Sequence, residues 1–442
     1  MKNNWRQKFH LEPESGWLND PNGLCFFGGY YQVYFQYSPE SAIGKGKKCW
    51  GHWRSKDLLR WEFTGTVLFP DVPEDRSGVY SGCGFVKDDL LYLFYTGNVK
   101  EEGNYDYIKA GRGANVILVT TKDGHQMSEK KVLLRNADYP SDMSCHVRDP
   151  KVWEENGSYR MVLGARRLDD TGCVLYYRSA DLIHWEYEKT ESIPEFGYMW
   201  ECPDVLRFGN QEYLSISPQG LPHEECKNQN VYSSGYFTKE KDFVEWDYGF
   251  DFYAPQSFTA PDGRKILIGW MGIGDIPYSN PTVALGWQHC LTVPREISQG
   301  PNGRLLQNPI RELSMLRKGV STHLSGERMV LPLPFELCGV PENDFEIEFE
   351  NVLTLRQKDG VFSLIFHDME VSGGRTTRNV QLSQCKNIRI LADDSSLEVF
   401  LNNGEKVMGS RFYPLEETLT VICHNLDCCI YELSGMEVTS TV

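Results

Sequence analysis

The stretch Gly16-Trp17-Leu18-Asn19-Asp20-Pro21-Asn22-Gly23 decides the fold that the sequence predicts. Asn, Asp, Pro and Gly are turn-forming residues, and the apolar run Leu24-Cys25-Phe26-Phe27 follows them directly. This order predicts that Asp20 stands at the mouth of a first β-strand, where the proline fixes the direction of the chain. An ordinary surface turn has the same composition, so the assignment depends on whether the chain returns to the pattern.

A short polar motif returns along the chain and indicates a repeat. Ser55-Lys-Asp-Leu-Leu-Arg-Trp61 recurs as Ser179-Ala-Asp-Leu-Ile-His-Trp185 and, in altered form, as Lys241-Asp-Phe-Val-Glu-Trp246. The three tryptophans lie 124 and 61 residues apart, which is two periods and then one. A degenerate copy, 121–124, falls in the double gap. Regular spacing of this kind is typical of repeat architectures.

A pair of short strands forms the other half of the repeat. Its copies cover 23–36, 81–95, 149–163, 201–215 and 253–267. Helical periodicity is nearly absent, and short apolar runs alternate with Gly, Asn, Asp and Pro, as in all-β proteins. Five copies of a multi-stranded unit predict a five-bladed β-propeller over residues 1–305.

The first residues of the repeats are predicted to meet. Asp20, Ser81, Asp149, Glu201 and Tyr253 would each open an innermost strand at the same end of the central channel. Residues far apart in the sequence would then form one ring around one pocket. Three carboxylates in such a ring would repel one another, which favours a chemical role over a structural one.

The pattern changes after the propeller repeats. Residues 306–319 are predicted to be a linker, and 320–442 alternate like strands without a further copy of the repeat. The segment 387–404 predicts a hairpin because it ends in Asn402-Asn403-Gly404. A C-terminal β-sandwich accounts for this part of the chain.

Bulk properties restrict the partners and the compartment. A formal net charge of −16 argues against nucleic acid and anionic membranes, because both would be repelled. The 13 cysteines follow no framework spacing, and the N-terminus has no apolar signal segment, so we expect reduced thiols in a cytoplasmic protein. Neighbouring positions in the cluster Cys423, His424, Cys428 and Cys429 point to opposite faces of a strand. We therefore expect no metal and no cofactor.

The carboxylates suggest glycoside chemistry, which needs one ionised carboxylate and one protonated carboxyl group. Amide neighbours should keep Asp20 ionised, and Arg148 should do the same for Asp149. Glu201 lies in the apolar and aromatic stretch 198–203. Desolvation there would raise the pKa of its carboxyl group and suit an acid.

Three motifs resemble those of glycoside hydrolase family 32, which contains invertases, sucrose-6-phosphate hydrolases and fructan hydrolases. They are Trp17-Leu-Asn-Asp-Pro-Asn-Gly23, Arg148-Asp-Pro150 and Glu201-Cys-Pro-Asp204. Further blocks that look like the family are Trp50-Gly-His52, Tyr80-Ser-Gly82, Tyr95-Thr-Gly97, Gly269-Trp-Met271 and the C-terminal Ser396-Leu-Glu-Val-Phe400. The resemblance extends from about residue 9 to about residue 435.

The resemblance implies a propeller followed by a sandwich, and it implies roles for individual residues. Asp20 would be the nucleophile, Glu201 the acid/base and Asp149 the transition-state stabiliser. The implied substrate contacts are Asn19, Gln36, Ser81, Arg148 and Trp270, with Trp17 and Tyr80 beside them and Trp50 as a pocket wall. A buried propeller-core tryptophan is the alternative for Trp50.

One stretch departs from the family. Many members have a Trp-Gly pair at the pocket between Gln36 and Trp50, where this chain reads Ser41-Ala-Ile-Gly-Lys-Gly-Lys-Lys48. One aromatic face of the sugar site would then be missing. The lysines at 45, 47 and 48 could receive a phosphate on the substrate, or they could form an ordinary solvated loop.

We therefore expect a cytoplasmic retaining β-fructofuranosidase that acts on a small sugar, sucrose or sucrose 6-phosphate. Two alternatives remain open: an exo-acting hydrolase of short fructans, and a non-catalytic sugar-binding propeller. The presence of Asp20, Asp149 and Glu201 together argues against the second alternative. An arabinose- or xylose-specific furanosidase fits the Asn-Asp-Pro-Asn-Gly context poorly. The sequence does not indicate the oligomeric state.

Overall fold

A computed structural model describes residues 4–326 and 328–441. This part of the chain is all-β, with 33 strands and one four-residue α-helix, α1 (Met369–Ser372). Short 3₁₀-helices lie at Pro73–Asp75, Asn136–Asp138, Pro281–Leu285, Pro301–Gly303 and Arg311–Leu316. No helix in the described ranges is long and apolar enough to cross a membrane.

The first sheet contains the stretch around Asp20. Its consecutive strands are β1 (Gly16–Phe27), β2 (Tyr30–Ser38), β3 (Cys49–Ser55) and β4 (Arg60–Leu68). Gly28 and Gly29 join β1 to β2, and both have positive φ, at 59° and 81°. A two-residue hairpin turn of this kind favours glycine and matches the twist of the strands.

Three further sheets follow in chain order, each with its strands side by side in sequence. The second is β5 (Gly78–Lys87), β6 (Leu90–Lys100), β7 (Arg112–Thr121) and β8 (Lys131–Leu134). The third is β9 (Met143–Glu155), β10 (Ser158–Arg167), β11 (Gly172–Ser179) and β12 (Glu186–Ser192). The fourth is β13 (Met199–Phe208), β14 (Gln211–Gln219), β15 (Gly235–Phe237) and β16 (Phe243–Glu245).

The fifth sheet lies at the end of this region, where the chain also returns to the first sheet. The strands of the fifth sheet are β17 (Tyr253–Thr259), β18 (Lys265–Met271), β20 (Cys290–Leu291), β21 (Arg295–Gln299) and β22 (Leu305–Pro309), and β19 (Trp287–Gln288) lies between β18 and β20 in the sequence. Strand β19 pairs in parallel with β1 in the first sheet, with Gly16 opposite Trp287, while β20, β21 and β22 stay with β18. The five sheets therefore form a propeller-like arrangement in which the last segment contacts the first sheet.

The recurring Ser-x-Asp motif forms the turn between the third and fourth strands of a sheet. In the first sheet Ser55 Oγ accepts the Leu58 N–H at 2.8 Å, and Asp57 Oδ1 accepts the Arg60 N–H at 2.8 Å. The Trp61 indole then donates to the Leu58 carbonyl at 3.0 Å. The copy at 179–185 makes the same bonds, so the repeat in the sequence is a repeated turn.

A β-sandwich-like sheet forms the C-terminal part. Its strands are β23 (Arg317–Ser325), β24 (Arg328–Pro332), β25 (Phe335–Phe349), β26 (Leu353–Lys358), β27 (Val361–Phe366), β28 (Thr377–Gln381), β29 (Ile388–Ala392), β30 (Ser396–Leu401), β31 (Lys406–Arg411) and β32 (Thr418–Leu433). The long strands β25 and β32 pair with each other across a register shift. The last strand, β33 (Glu437–Ser440), returns to the first sheet and pairs in parallel with β4.

The predicted linker, 306–319, overlaps strands at both of its ends. Residues 306–309 belong to β22, which pairs with β21, and β23 already begins at Arg317 and pairs with β32. Only 310–316 lie between the two sheets, mostly as a 3₁₀-helix. The sequence signal was a change of repeat pattern, which does not show where backbone pairing stops.

Buried charges join the propeller-like region to the sandwich. Arg295 is fully buried and donates to Glu398 Oε2 at 2.7 Å and to Asp247 Oδ2 at 2.9 Å. His10 lies beside this group and donates through Nδ1 to Asp393 at 2.8 Å and through Nε2 to Glu398 at 3.0 Å. Because these groups are 0% exposed, each charge depends on its partner across the interface.

The interface predicts a loss of stability in alkaline solution. Burial lowers the pKa of His10, but the hydrogen bonds to Asp393 and Glu398 outweigh it and raise that pKa to about 9. A histidine with a raised folded-state pKa stabilises fully below its unfolded pKa, about 6.5, and loses this contribution as the pH rises to about 9. The contribution is at most about 3 kcal/mol at 1.36 kcal/mol per pKa unit.

We expect the Tm of the native chain to fall between pH 6.5 and pH 9.5, and we expect His10→Gln to remove most of this fall. Thermal denaturation at a series of pH values measures this. His184→Gln is the matched control, because His184 is exposed and contacts only the nearby Asp181. An unchanged pH dependence in His10→Gln would show that His10 is neutral in the folded protein.

Candidate active site

A cavity of about 250 Å³ lies where the first strands of the five sheets meet. Its walls include Asp20 from β1, Ser81 from β5, Asp149 from β9, Glu201 from β13 and Tyr253 from β17. The residues predicted to open the repeats therefore share one site. The volume is below the range of about 300–1,000 Å³ that is common for ligand sites, so the cavity suits a terminal sugar unit and not an internal segment of a polymer.

A β-bulge directs the chain at this end of every inner strand. The pairing register shifts between Leu18 and Pro21 in β1, and between Tyr80 and Gly82 in β5. Equivalent shifts lie at 148–151 in β9, at 201–204 in β13 and at 253–256 in β17. A bulge inserts an extra residue and re-aims side chains. In the first three sheets two successive residues of the inner strand therefore line the cavity, while β13 and β17 contribute Glu201 and Tyr253.

The bulges sort these residues into two tiers. The inner tier directly precedes a proline, or Gly82 in the second sheet, and contains Asp20, Ser81, Asp149, Cys202 and Ala254. The outer tier lies one residue earlier and contains Asn19, Tyr80, Arg148, Glu201 and Tyr253. The predicted single ring is therefore wrong in one respect. Glu201 and Tyr253 are equivalent to Arg148, not to Asp20 and Asp149.

Asp20 is held by donors on both carboxylate oxygens. Asn19 Nδ2 donates to Oδ1 at 3.1 Å, and the Ser81 hydroxyl donates to Oδ2. The Cys202 thiol lies 3.6 Å from the same Oδ2. Burial raises the pKa of Asp20 above its usual value, while the hydrogen bonds from Ser81 and Asn19 oppose the rise. The amide support that the sequence predicted is present, but burial exceeds it.

Asp149 is buried and faces the neighbouring strand. Its Oδ2 accepts the backbone N–H of Cys202 at 2.9 Å, and the Cys202 thiol lies 3.5 Å away. Burial raises the pKa of Asp149 to about 7, against the lowering effect of Arg148. Arg148 therefore favours the ionised form of Asp149, as the sequence predicted, but burial outweighs this effect on the pKa. The Arg148 guanidinium makes its hydrogen bonds to Glu201.

Glu201 sits among hydrogen-bond donors. Arg148 donates to Oε1 through Nε at 3.0 Å and through Nη2 at 2.6 Å. Gln219 donates to Oε2 at 2.8 Å, and the Tyr253 hydroxyl donates to the same oxygen at 2.6 Å. The apolar setting predicted for Glu201 is wrong, because its aromatic neighbour Trp200 points into a core cluster.

His146 orients Arg148 from behind. Arg148 Nη1 donates to His146 Nδ1 at 2.6 Å, and His146 Nε2 donates to the Tyr107 carbonyl at 3.0 Å. Burial, together with the neighbouring Arg148 and Arg112, lowers the pKa of His146 to about 3. The neutral imidazole is thus a fixed acceptor that directs Arg148 toward Glu201.

The structure places most of the other predicted contacts at the cavity. Asn19, Gln36, Tyr80, Ser81, Arg148 and Trp270 all line it. Trp17 lies just behind, where its indole N–H donates to Asn19 Oδ1 at 2.9 Å and its ring packs on Trp270 at 5.8 Å. It supports the wall without forming it.

The prediction that Trp50 is a pocket wall is wrong. Trp50 is 0% exposed and belongs to the core cluster between the first and second sheets. Its indole N–H donates to the Tyr80 carbonyl at 3.2 Å, and its ring lies 6.0 Å from that of Tyr95. Trp50 therefore positions the strand that carries Tyr80 and Ser81.

Several residues of the cavity wall lie outside the motifs that predicted the site. They are Arg112, Gln219, Tyr232 and Gly274, together with Lys48 from the lysine loop. Arg112 begins β7 and Gln219 ends β14, outside the repeated motifs. The only signal for Arg112 and Gln219 was that each lies at the end of its strand that faces the cavity. Strand β7 pairs with β6, and β14 pairs with the inner strand β13. Within the described ranges, no group of three His, Cys, Asp or Glu side chains is placed to hold a metal ion.

Comparison with known proteins identifies the family. Residues 10–309 match the N-terminal domain of the glycosyl hydrolases family 32, and residues 356–425 match the C-terminal domain of the same family. The chain belongs to glycoside hydrolase family 32. It is therefore a glycoside hydrolase by family, and the paired carboxylates of the cavity agree with this class.

Relatives in family 32 match over nearly the whole chain. A sucrose-6-phosphate hydrolase of Bacillus subtilis is 35% identical, with 92% of this chain and 89% of the relative covered. The structure of a sucrose-6-phosphate hydrolase from Lactobacillus gasseri superposes with a TM-score of 0.87 at 25% identity, over 98% of this chain and 94% of that one. A mutant family 32 β-fructofuranosidase of Bombyx mori in complex with sucrose has a TM-score of 0.84 at 28% identity, over 98% and 95%.

Proposed function

We propose that the chain is a retaining β-fructofuranosidase that releases the terminal β-D-fructofuranosyl unit of sucrose or sucrose 6-phosphate. One observation carries this proposal: Asp20 and Glu201 reach one small cavity from different sheets, each in its own set of hydrogen-bond donors. The Bacillus subtilis relative is a sucrose-6-phosphate hydrolase, and the Bombyx mori structure contains sucrose. Both support this substrate class.

In the proposed reaction Asp20 attacks the anomeric carbon of the fructosyl unit. Glu201 gives its proton to the glycosidic oxygen, so that the leaving sugar departs as a neutral alcohol. Glu201 then takes a proton from water, and the water oxygen displaces Asp20 from the fructosyl–enzyme ester. Asn19 and Ser81 each donate to one oxygen of Asp20 and hold the carboxylate in place. The remaining lone pairs of these oxygens are free to reach the substrate.

Asp149 is proposed to stabilise positive charge on the fructosyl ring in the transition state. It lies in the same tier as Asp20, and the Cys202 thiol lies 3.5 Å from Asp149 and 3.6 Å from Asp20. Burial and the neighbouring carboxylates raise the pKa of this thiol well above its usual value. A neutral thiol can lie between two carboxylates without adding a third negative charge.

Asp149→Asn should lower kcat by about 10²–10³-fold, since the amide removes a charge but preserves the shape of the site. The pH dependence that Glu201 sets should remain. Steady-state kinetics across the pH range tests this. A change of less than threefold in kcat would exclude a role for the Asp149 charge.

The fold and the compartment are proposed in finer detail. We propose that the five sheets are the five blades of a propeller, which their five inner strands at one cavity support. We propose the domain boundary within 310–316, between β22 and β23. We propose a cytoplasmic location, which is supported by 13 cysteines that are all free, since disulfides are rare in that compartment.

A substrate panel of sucrose, sucrose 6-phosphate, kestose, inulin and levan tests the proposed function. We expect fructose release from sucrose or its 6-phosphate with a kcat/KM at least about tenfold above that for the polymers, because the cavity is small. Faster release from inulin or levan would favour the fructan hydrolase. No release from any of the five would favour a binding protein.

A further inference from the structure

Two cationic side chains line the cavity without belonging to the proposed acid/base machinery. They are Arg112, the first residue of β7 in the second sheet, and Lys48, which directly precedes β3 in the first sheet. Both are half-buried. A buried cation is normally paired, so the partners of these two groups need an explanation.

Arg112 has no acceptor for its guanidinium within residues 4–326 and 328–441. Its Nε is buried and makes no hydrogen bond, and it forms no ion pair with the carboxylates of the cavity. Burial lowers the pKa of Arg112, and the nearby Arg148 lowers it further. Arginine nevertheless stays protonated in proteins. The cavity therefore contains the positively charged guanidinium of Arg112 near a second cation, Arg148.

Arg148, the other arginine of the cavity, differs from Arg112 because its guanidinium has hydrogen-bond acceptors. Arg148 has Glu201 and His146 as acceptors for three of its nitrogens. Both oxygens of Glu201 therefore already accept hydrogen bonds from other residues, and neither accepts one from Arg112. A buried donor that lacks an acceptor destabilises a protein by about 1–3 kcal/mol, which is tolerable where a ligand supplies the acceptor.

Lys48 is the one lysine of the loop at 41–48 that lines the cavity. Its ammonium lies 4.9 Å from the centre of the Trp17 ring, and within the described chain it makes no ion pair. Burial lowers its pKa to about 8, although Asp20 opposes the change, so it is mostly protonated at pH 7. Lys45 and Lys47 are exposed. Of the three lysines that could receive a phosphate, only Lys48 is therefore placed at the cavity.

We propose that Arg112, together with Lys48, forms an anion-binding subsite that takes the phosphate monoester of a phosphorylated disaccharide substrate. The inference rests on the proposed function, because it assigns the substrate class of the same cavity. The planar guanidinium binds phosphate oxygens in pairs, and lysine binds them as a point charge. In a chain of net charge −16, a dianionic substrate requires such local positive charge to approach the carboxylates.

Arg112→Gln tests the subsite through the ratio of kcat/KM for sucrose 6-phosphate to kcat/KM for sucrose. We expect this specificity ratio to fall at least about 30-fold in Arg112→Gln, which is roughly 2 kcal/mol at 1.4 kcal/mol per tenfold change. Lys48→Gln should lower it at least about threefold, and Arg112→Lys should restore part of it. Lys45→Gln is the matched control and should leave the ratio unchanged, since Lys45 is exposed outside the cavity.

The outcomes separate the subsite from the proposed function. An unchanged ratio in Arg112→Gln, or a native enzyme that hydrolyses sucrose but not its phosphate, overturns the subsite and leaves the fructofuranosidase intact. If the native chain hydrolyses neither sugar, the proposed function fails. Calorimetric binding of glucose 6-phosphate against glucose then tests the subsite by itself. The subsite requires that the native chain binds glucose 6-phosphate more tightly than glucose and that Arg112→Gln loses this preference.

Discussion

Asp20→Asn should lower kcat for fructose release by at least about 10⁴-fold, because it removes the proposed nucleophile. The amide cannot form the fructosyl ester, but it is nearly isosteric with the carboxylate. The contacts with Asn19 and Ser81 involve polar atoms at the cavity wall rather than apolar packing. Folding should therefore be preserved, and Tm should stay within a few degrees of the native value.

Asp89→Asn is the matched control for this substitution. Asp89 is exposed in the turn between β5 and β6, at the end of β5 opposite Ser81. Asparagine also tolerates the positive φ of 57° at this position. Steady-state kinetics on both variants should show near-native activity for Asp89→Asn only. Activity within tenfold of native in Asp20→Asn would remove Asp20 as the nucleophile.

Glu201→Gln should lower kcat/KM for sucrose by about 10²–10⁴-fold, the usual contribution of a general acid. The carbonyl oxygen of glutamine can still accept from Arg148, as Glu201 Oε1 does, but its amide has no acidic proton to give to the glycosidic oxygen. The limb of the pH–rate profile that falls as pH rises should therefore disappear. An aryl fructofuranoside, whose leaving group needs little protonation, should lose much less activity in the first step than sucrose does.

Glu154→Gln is the control for the acid/base assignment. Glu154 is exposed near the far end of β9, so its removal should change neither rate nor pH profile. An equal loss for sucrose and the aryl substrate in Glu201→Gln would show that Glu201 acts through structure. Retention of the alkaline limb would lead to the same conclusion.

The sequence predicted the arrangement of strands well because the repeat has a local physical cause. The Ser-x-Asp turns at 55–61 and 179–185 are closed by hydrogen bonds within the motif itself. Two-residue turns such as Gly28-Gly29 need residues that accept positive φ. Signals of this kind identify strand ends without knowledge of tertiary contacts, so Asp20, Ser81, Asp149, Glu201 and Tyr253 could be assigned to one cavity.

The electrostatics of the site could not be predicted in the same way. Asp149 directly precedes a proline, whereas one residue separates Glu201 from the next proline, and this difference is visible in the sequence. Where the two side chains then point depends on the β-bulges, which the sequence does not show. The bulges bring Arg148 onto Glu201 and leave Asp149 to a backbone N–H. Neighbours within a sequence motif are not necessarily neighbours in space, so the motifs alone do not predict which groups surround these two carboxylates.

Residues outside the motifs were missed for a related reason. Arg112 reaches the cavity from the third strand of its sheet, where no repeated pattern marks it. Trp50 lies in a block that resembles the family, yet it faces the core between two sheets. Which face a strand residue presents depends on register, and register shifts by one residue at each bulge.

The stereochemistry of fructosyl transfer shows whether Asp20 acts as the nucleophile. We propose that Asp20 and Glu201 act with carboxyl groups about 5–5.5 Å apart, as in retaining glycosidases, where an ester intermediate precedes the second displacement. Proton NMR of the products formed from sucrose in aqueous methanol identifies the anomer, since a methyl fructoside does not interconvert in solution. The account predicts methyl β-D-fructofuranoside. Formation of the α-anomer would mean a single displacement and would contradict the role of Asp20 as nucleophile.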